Sequence, residues 1–103
     1  MSYDFGVTGN CDCCVPLNMT YNMSQFMYDF VDEERGIRVF NGKKGWECIP
    51  ILERFFERCQ MTEELAEKYD SPNGWGTVET CINSLALLTV QCARHPYEDI
   101  FSQ

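Results

Sequence analysis

Residues 77–94, TVETCINSLALLTVQCAR, decide how the rest of the chain must be arranged. Val78, Cys81, Ile82, Leu85, Leu88 and Cys92 recur at helical spacing and so share one face. Ala86, Leu87, Val90 and Ala93 widen that face until a narrow polar strip of Glu79, Thr80, Asn83, Gln91 and Arg94 is left. The pattern predicts a helix that is apolar over most of its circumference, and such a helix is expected to be covered on several sides. Gly76 or Thr77 can cap its start. His95-Pro96 marks its stop, because the residue before a proline is driven out of the helical region.

Moving outward, a second helix is expected from about Glu47 to Gln60, with Ile49, Leu52, Phe55, Phe56 and Cys59 as its buried stripe. Pro50 fits there only within the first turn, where its missing amide costs no hydrogen bond. Thr62 is the expected cap of a shorter helix, EELAEKY, whose Glu63 and Glu64 suit the positive end of the helix dipole. Asp70-Ser-Pro-Asn-Gly then breaks the chain, and Trp75, held between Gly74 and Gly76, leads into the central helix. In the tail, Tyr97, Ile100 and Phe101 are expected to fold back on the core.

At the other end, residues 3–8 (YDFGVT) read as a short strand, followed by a turn over residues 9–14. From Leu17 to Met23 the residues alternate, with Leu17, Met19, Tyr21 and Met23 on one face and Asn18, Thr20 and Asn22 on the other. That alternation predicts a second strand, paired with the first as a hairpin lying on the helices. Ser24 would cap a helix running to about Glu34, with Phe26, Met27, Phe30 and Val31 inward and Gly36 as its stop. Ile37–Phe40 admits a third strand, and residues 42–45 read as a loop. The expected fold is a small, mostly helical α+β domain spanning residues 1–103. Three to four helices pack around the C-terminal helix 77–94, with an N-terminal β-hairpin on one side.

The totals exclude some functions. Sixteen acids against eight bases give a formal charge of −8. That balance disfavours direct binding to nucleic acid or to an anionic membrane, both of which need Lys and Arg against phosphates. It suits a basic partner surface, such as the nucleic-acid channel of another protein, or it serves solubility alone. The start, MSYDFGVTG, lacks the basic and apolar segments of a signal peptide, and no apolar run is long enough to span a bilayer. A cytoplasmic location is expected. There the seven cysteines would be free thiols or metal ligands, and the Asn18 and Asn22 sequons accidental.

Three sets of residues are candidates for chemistry. Cys11, Cys13 and Cys14 would offer thiolates to zinc, with Cys11 and Cys14 at knuckle spacing, but a second such pair is missing and ordinary loop thiols are the alternative. Cys92 and His95 stand three residues apart at a helix end, a spacing common by chance and a weak basis for a thiol nucleophile. Serine elbows, phosphate loops and opposed carboxylates are missing: Glu63 and Glu64 are adjacent and diverge on a helix. The third set is the polar face of Asn18, Thr20 and Asn22. Beside Asn73 and Trp75 it would hold a small polar ligand, or anchor a partner with the indole as hot spot. The alternative is that these amides and hydroxyls satisfy nearby backbone while Trp75 packs on helix 77–94.

An acidic surface completes the candidates. Glu47, Glu53, Glu57, Glu63, Glu64, Glu67 and Asp70 crowd residues 47–70, diluted by Arg54, Arg58 and Lys68.

Three segments, LNMTYN at 17–22, Cys48-Ile-Pro-Ile-Leu at 48–52 and Asn73-Gly-Trp-Gly at 73–76, together resemble small, functionally uncharacterised proteins encoded by bacteriophages and prophages. The resemblance covers about residues 5–94. It implies a phage or mobile-element origin and brings with it no activity, cofactor or catalytic residue. The Cys13-Cys14 pair and the acidic, aromatic mid-section depart from that pattern. The expected function is therefore that of a small acidic phage accessory protein. It would act without catalysis, as a monomer or homodimer in the host cytoplasm, by inhibiting a host nucleic-acid-handling or defence protein through its basic surface. The alternative is a small-ligand or zinc-binding module.

Overall fold

The computed structural model describes residues 2–8, 16–60, 62–72 and 74–103. Its elements in order are β1 (Ser2–Val7), β2 (Leu17–Thr20), α1 (Ser24–Phe30), α2 (Gly45–Arg58), α3 (Thr62–Tyr69), α4 (Val78–Arg94) and β3 (Ile100–Ser102). Two 3-10 turns, Tyr21–Met23 and Gly36–Phe40, join them. The fold is α+β: four helices among the described residues against an antiparallel sheet of order β2-β1-β3.

The expected hairpin forms, with Tyr3 opposite Met19 and Phe5 opposite Leu17. Tyr3, Phe5 and Val7 alternate inward along β1 to meet the helices, as the period of a strand requires. The third strand is not 37–40. It comes from the tail, where Ile100 pairs with Val7 and Ser102 with Phe5. Ile37–Phe40 is instead a 3-10 turn, entered at Gly36 with φ +59°, that buries both Ile37 and Phe40. Ser102 ties it to the sheet, its hydroxyl donating to the Ile37 carbonyl at 2.7 Å.

Helix α1 ends at Phe30, short of Glu34, and Ser24 does not cap it. The Ser24 hydroxyl donates backward to the Tyr21 carbonyl at 2.7 Å, because the 3-10 turn has already set the direction of the helix. Helix α2 starts at Gly45, two residues earlier than expected, which places Pro50 beyond the first turn. Its ring therefore deletes the hydrogen bond that the Trp46 carbonyl would otherwise accept. The early start has a steric cause. A Cβ on Gly45 would stand 2.5 Å from the His95 carbonyl oxygen and 2.9 Å from that of Cys92, so only glycine lets α2 abut the end of α4.

Helix α4 matches its expected span. The Thr77 hydroxyl accepts from the Thr80 amide at 3.1 Å and so caps the start, while the His95 amide closes the last turn on the Gln91 carbonyl at 2.9 Å. Val78, Leu85, Leu88 and Cys92 are fully buried and Cys81 nearly so, packed against α2, α3 and the sheet. The helix is covered by α2, α3 and the sheet, but part of its apolar surface is left bare. Ala86, Leu87, Val90 and Ala93 are exposed. Gln91, assigned by sequence to the polar strip, is buried instead. Among the described residues, the sheet, α2 and α3 pack against α4, and they leave Ala86, Leu87, Val90 and Ala93 bare. No helix among the described residues is long and apolar enough to cross a membrane.

Candidate functional site

A cleft of about 290 Å³ opens between β2, the loop at residues 74–77 and the first turns of α4. Asn18, Met19 and Thr20 line it from the strand, and Met23 from the turn that follows. Gly74 and Gly76 form its lip, with φ of +76° and +110°, conformations that favour glycine. Helix α4 supplies Thr77, Thr80, Cys81 and Ser84. Glycine lets the loop come this close to the strand. A Cβ on Gly76 would come within 2.6 Å of the Thr20 methyl and 3.0 Å of the Met23 side chain.

The sequence-predicted polar residues do converge here, though not as one row. The strand stops at Thr20, whose hydroxyl accepts from the Asn22 amide at 3.4 Å and starts the 3-10 turn. Asn22 is thereby carried off the strand face, and its Nδ2 donates to the Trp75 carbonyl at 2.9 Å. Asn18 remains on the strand, its Nδ2 shared between Ser2 Oγ and Asp4 Oδ1, each at 2.8 Å. All three thus hold backbone or neighbouring strand in place, and Asn18 and Thr20 also line the cleft. Most of the Trp75 side chain faces solvent. It is 71% exposed, on a loop pinned by Asn22 and by the Ser71 amide donating to the Gly76 carbonyl at 3.1 Å.

Asn73, Cys11, Cys13 and Cys14 lie outside the described residues. Among the described residues, no group of three or more His, Cys, Asp and Glu side chains is placed to hold a metal ion. The described cysteines, Cys48, Cys59, Cys81 and Cys92, are free and buried. Burial pushes the Cys59 thiol up to about 11 and the Cys81 thiol up to about 12. The Cys48 thiol is pushed up by its hydrogen bond with Cys92 and by burial. Cys92 is fully buried and its thiol partner is Cys48, so this arrangement does not present a nucleophilic thiolate to solvent.

The acids of α2 and α3 lie outside this cleft. Glu53 and Glu57 on α2, and Glu63, Glu64 and Glu67 on α3, are all exposed. Arg54 and Arg58 stand one residue, or about 100°, around α2 from the Glu53–Glu57 line. They border a hollow beside Val31 and Asp32, and Arg58 donates to the Phe30 carbonyl at 3.4 Å. Tyr69 joins α3 to α1 by donating to Asp29 Oδ2 at 2.6 Å, a bond that raises the phenol to about 12 and lowers the Asp29 carboxyl.

Sequence reasoning missed Thr77, Thr80 and Ser84 as cleft residues. Their i, i+3, i+7 spacing along the flank of the central helix was the available signal. It also missed a wide hollow of about 660 Å³ bounded by Tyr28, Arg35, Arg38 and Asn41, where the Arg38 guanidinium lies 5.2 Å from the centre of the Tyr3 ring. Compared with protein-family models, with curated proteins and with solved structures, the chain matches none of them.

Proposed function

We propose that this chain is a non-enzymatic accessory protein of phage or prophage origin that binds a host protein. Its docking epitope is the Trp75 loop beside the cleft. The observation that carries this reading is the 71% exposure of Trp75 on a loop held at both sides by hydrogen bonds. An exposed indole on a hydrogen-bonded loop offers large contact area, the property of an interface anchor. The exposed acids of α2 and α3 together with the net charge of −8 favour a basic partner, such as a host defence nuclease or another nucleic-acid-handling protein in the cytoplasm.

The test is capture from bacterial lysate with tagged wild-type chain, Trp75→Ala, and a variant with Glu53, Glu57, Glu63 and Glu67 changed to Gln. A basic protein retained by wild type, reduced at least about tenfold by Trp75→Ala, and released earlier with salt by the Gln variant is expected. Equal capture by all three chains, or none at low salt, overturns the reading.

The cleft itself favours a second reading, a small polar ligand. Thr20, Thr77, Thr80 and Ser84 line a volume of about 290 Å³, close to the lower end of ligand-pocket sizes. Native mass spectrometry of the chain purified from cells checks this. A mass equal to the denatured mass removes it.

A further inference from the structure

Helix α4 has an uncovered outer face with an order to it. Glu79, Asn83, Ala86, Leu87, Val90, Ala93 and Arg94 are all exposed and fall within about 120° of arc. Leu87 is 55% and Val90 47% exposed, two of the large apolar side chains that the described residues leave to solvent. The charges stand at the two ends, an acid at 79 and a base at 94, with apolar residues between.

This stripe is its own complement under a two-fold rotation. Laying a second copy antiparallel, with the axis between Ala86 and Leu87, brings Glu79 against the second copy's Arg94 and Arg94 against its Glu79. Asn83 meets Val90, and Ala86 meets Leu87. A parallel alignment would instead set acid on acid and base on base. On a chain of charge −8, this stripe carries one acid and one base, so two copies meet here without the repulsion that the α2–α3 surface would impose.

The small side chains Ala86 and Ala93 let the two helices approach closely. The stripe is about 22 Å long, and a stable dimer buries on the order of 800 Å² per partner, more than one bare helix contact supplies. Trp46 (56% exposed) and Tyr97 (81%) stand at the C-terminal end of α4, where the Trp46 amide donates to the Pro96 carbonyl. In an antiparallel pair they would be the further exposed apolar surface available near each end of the contact. Trp75 precedes the start of α4, on the loop tied to β2.

We propose that the chain forms an isologous homodimer through antiparallel packing of α4 on α4, centred on Ala86 and Leu87. This surface is separate from the Trp75 epitope and does not depend on it.

Sedimentation equilibrium from roughly 1 to 200 µM tests the dimer, a range that spans micromolar dissociation constants. The wild type is expected to pass from 12.0 kDa to twice that mass. Leu87→Glu and Val90→Glu should weaken association at least about tenfold with unchanged circular dichroism, since both sites are exposed. Glu79→Arg and Arg94→Glu should each weaken it, and the double exchange Glu79→Arg/Arg94→Glu should restore it, which only the antiparallel pairing predicts. A 12.0 kDa species at the highest concentration overturns the proposal. So does a dimer unmoved by Leu87→Glu and Val90→Glu, or a double exchange no tighter than the single ones.

Discussion

Leu87 and Leu88 are adjacent and chemically identical, yet Leu88 is fully buried while Leu87 is 55% exposed. The same contrast runs the length of α4: Val78, Leu85 and Cys92 sit in the core, and Ala86, Val90 and Ala93 face water. Apolar composition does not separate the two faces. What separates them is which neighbours the rest of the chain supplies, here α2, α3 and the sheet against the buried face. The buried face of α4 therefore serves folding, whereas the bare face is the one the proposed dimer would use.

That contrast can be broken experimentally. Leu88→Ala should cost about 3 kcal/mol in urea unfolding, because a large side chain leaves a cavity in a packed core, whereas Leu87→Ala should stay within about 0.5 kcal/mol in the monomer. Similar losses at the two sites would erase the difference between the faces. Gly45→Ala tests how tightly α2 is jammed against the buried side of α4. With backbone oxygens at 2.5 and 2.9 Å from the added methyl, about 2 kcal/mol of strain is expected in the same assay.

Alkaline pH sharpens the picture of the buried face. The Cys59 and Cys81 thiols are raised from 9.0 to about 11 and about 12, and Tyr69 from 10.0 to about 12. Groups whose pKa is higher folded than unfolded stabilise the fold fully below the unfolded value, and that contribution is lost as pH rises through the folded value. Thermal stability should therefore fall from pH 9 toward pH 12. Cys81 should contribute about 1.4 kcal/mol per pH unit within its window. A Cys81→Ala chain with the same alkaline slope would refute that assignment. A smaller loss than at Leu88 or Gly45 is expected at the helix start, where Thr77→Ala should cost about 1 kcal/mol by removing the hydroxyl that accepts from the Thr80 amide. No loss of stability there would mean that the Asp70 carboxylate, accepting from the Val78 amide at 2.7 Å, suffices as the cap.

Much of the candidate site was legible as a list of residues and little of it as geometry. Asn18, Thr20, Asn22 and Trp75 do lie close together, but strand alternation put Asn22 in a row with Asn18 when the 3-10 turn carries it to the Trp75 loop. Thr80 and Ser84 offered only their spacing with Thr77 as a signal, since a hydroxyl on a helix flank reads as ordinary surface. Their role comes from a loop brought against β2 from more than fifty positions away in the chain.

From the sequence alone came the helices, the N-terminal hairpin and the class of the fold. These rest on local periodicity and end signals, such as the Thr77 cap and the His95-Pro96 stop, which act between residues a few positions apart. Only the tertiary structure decided that Ile100–Ser102 and not Ile37–Phe40 completes the sheet, that α2 begins at Gly45, and which side of α4 stays bare. A three-residue strand has no periodicity to detect, and its partner β1 lies at the opposite end of the chain. Burial of an apolar face, likewise, is a property of what packs against it, and that is settled by the whole chain at once.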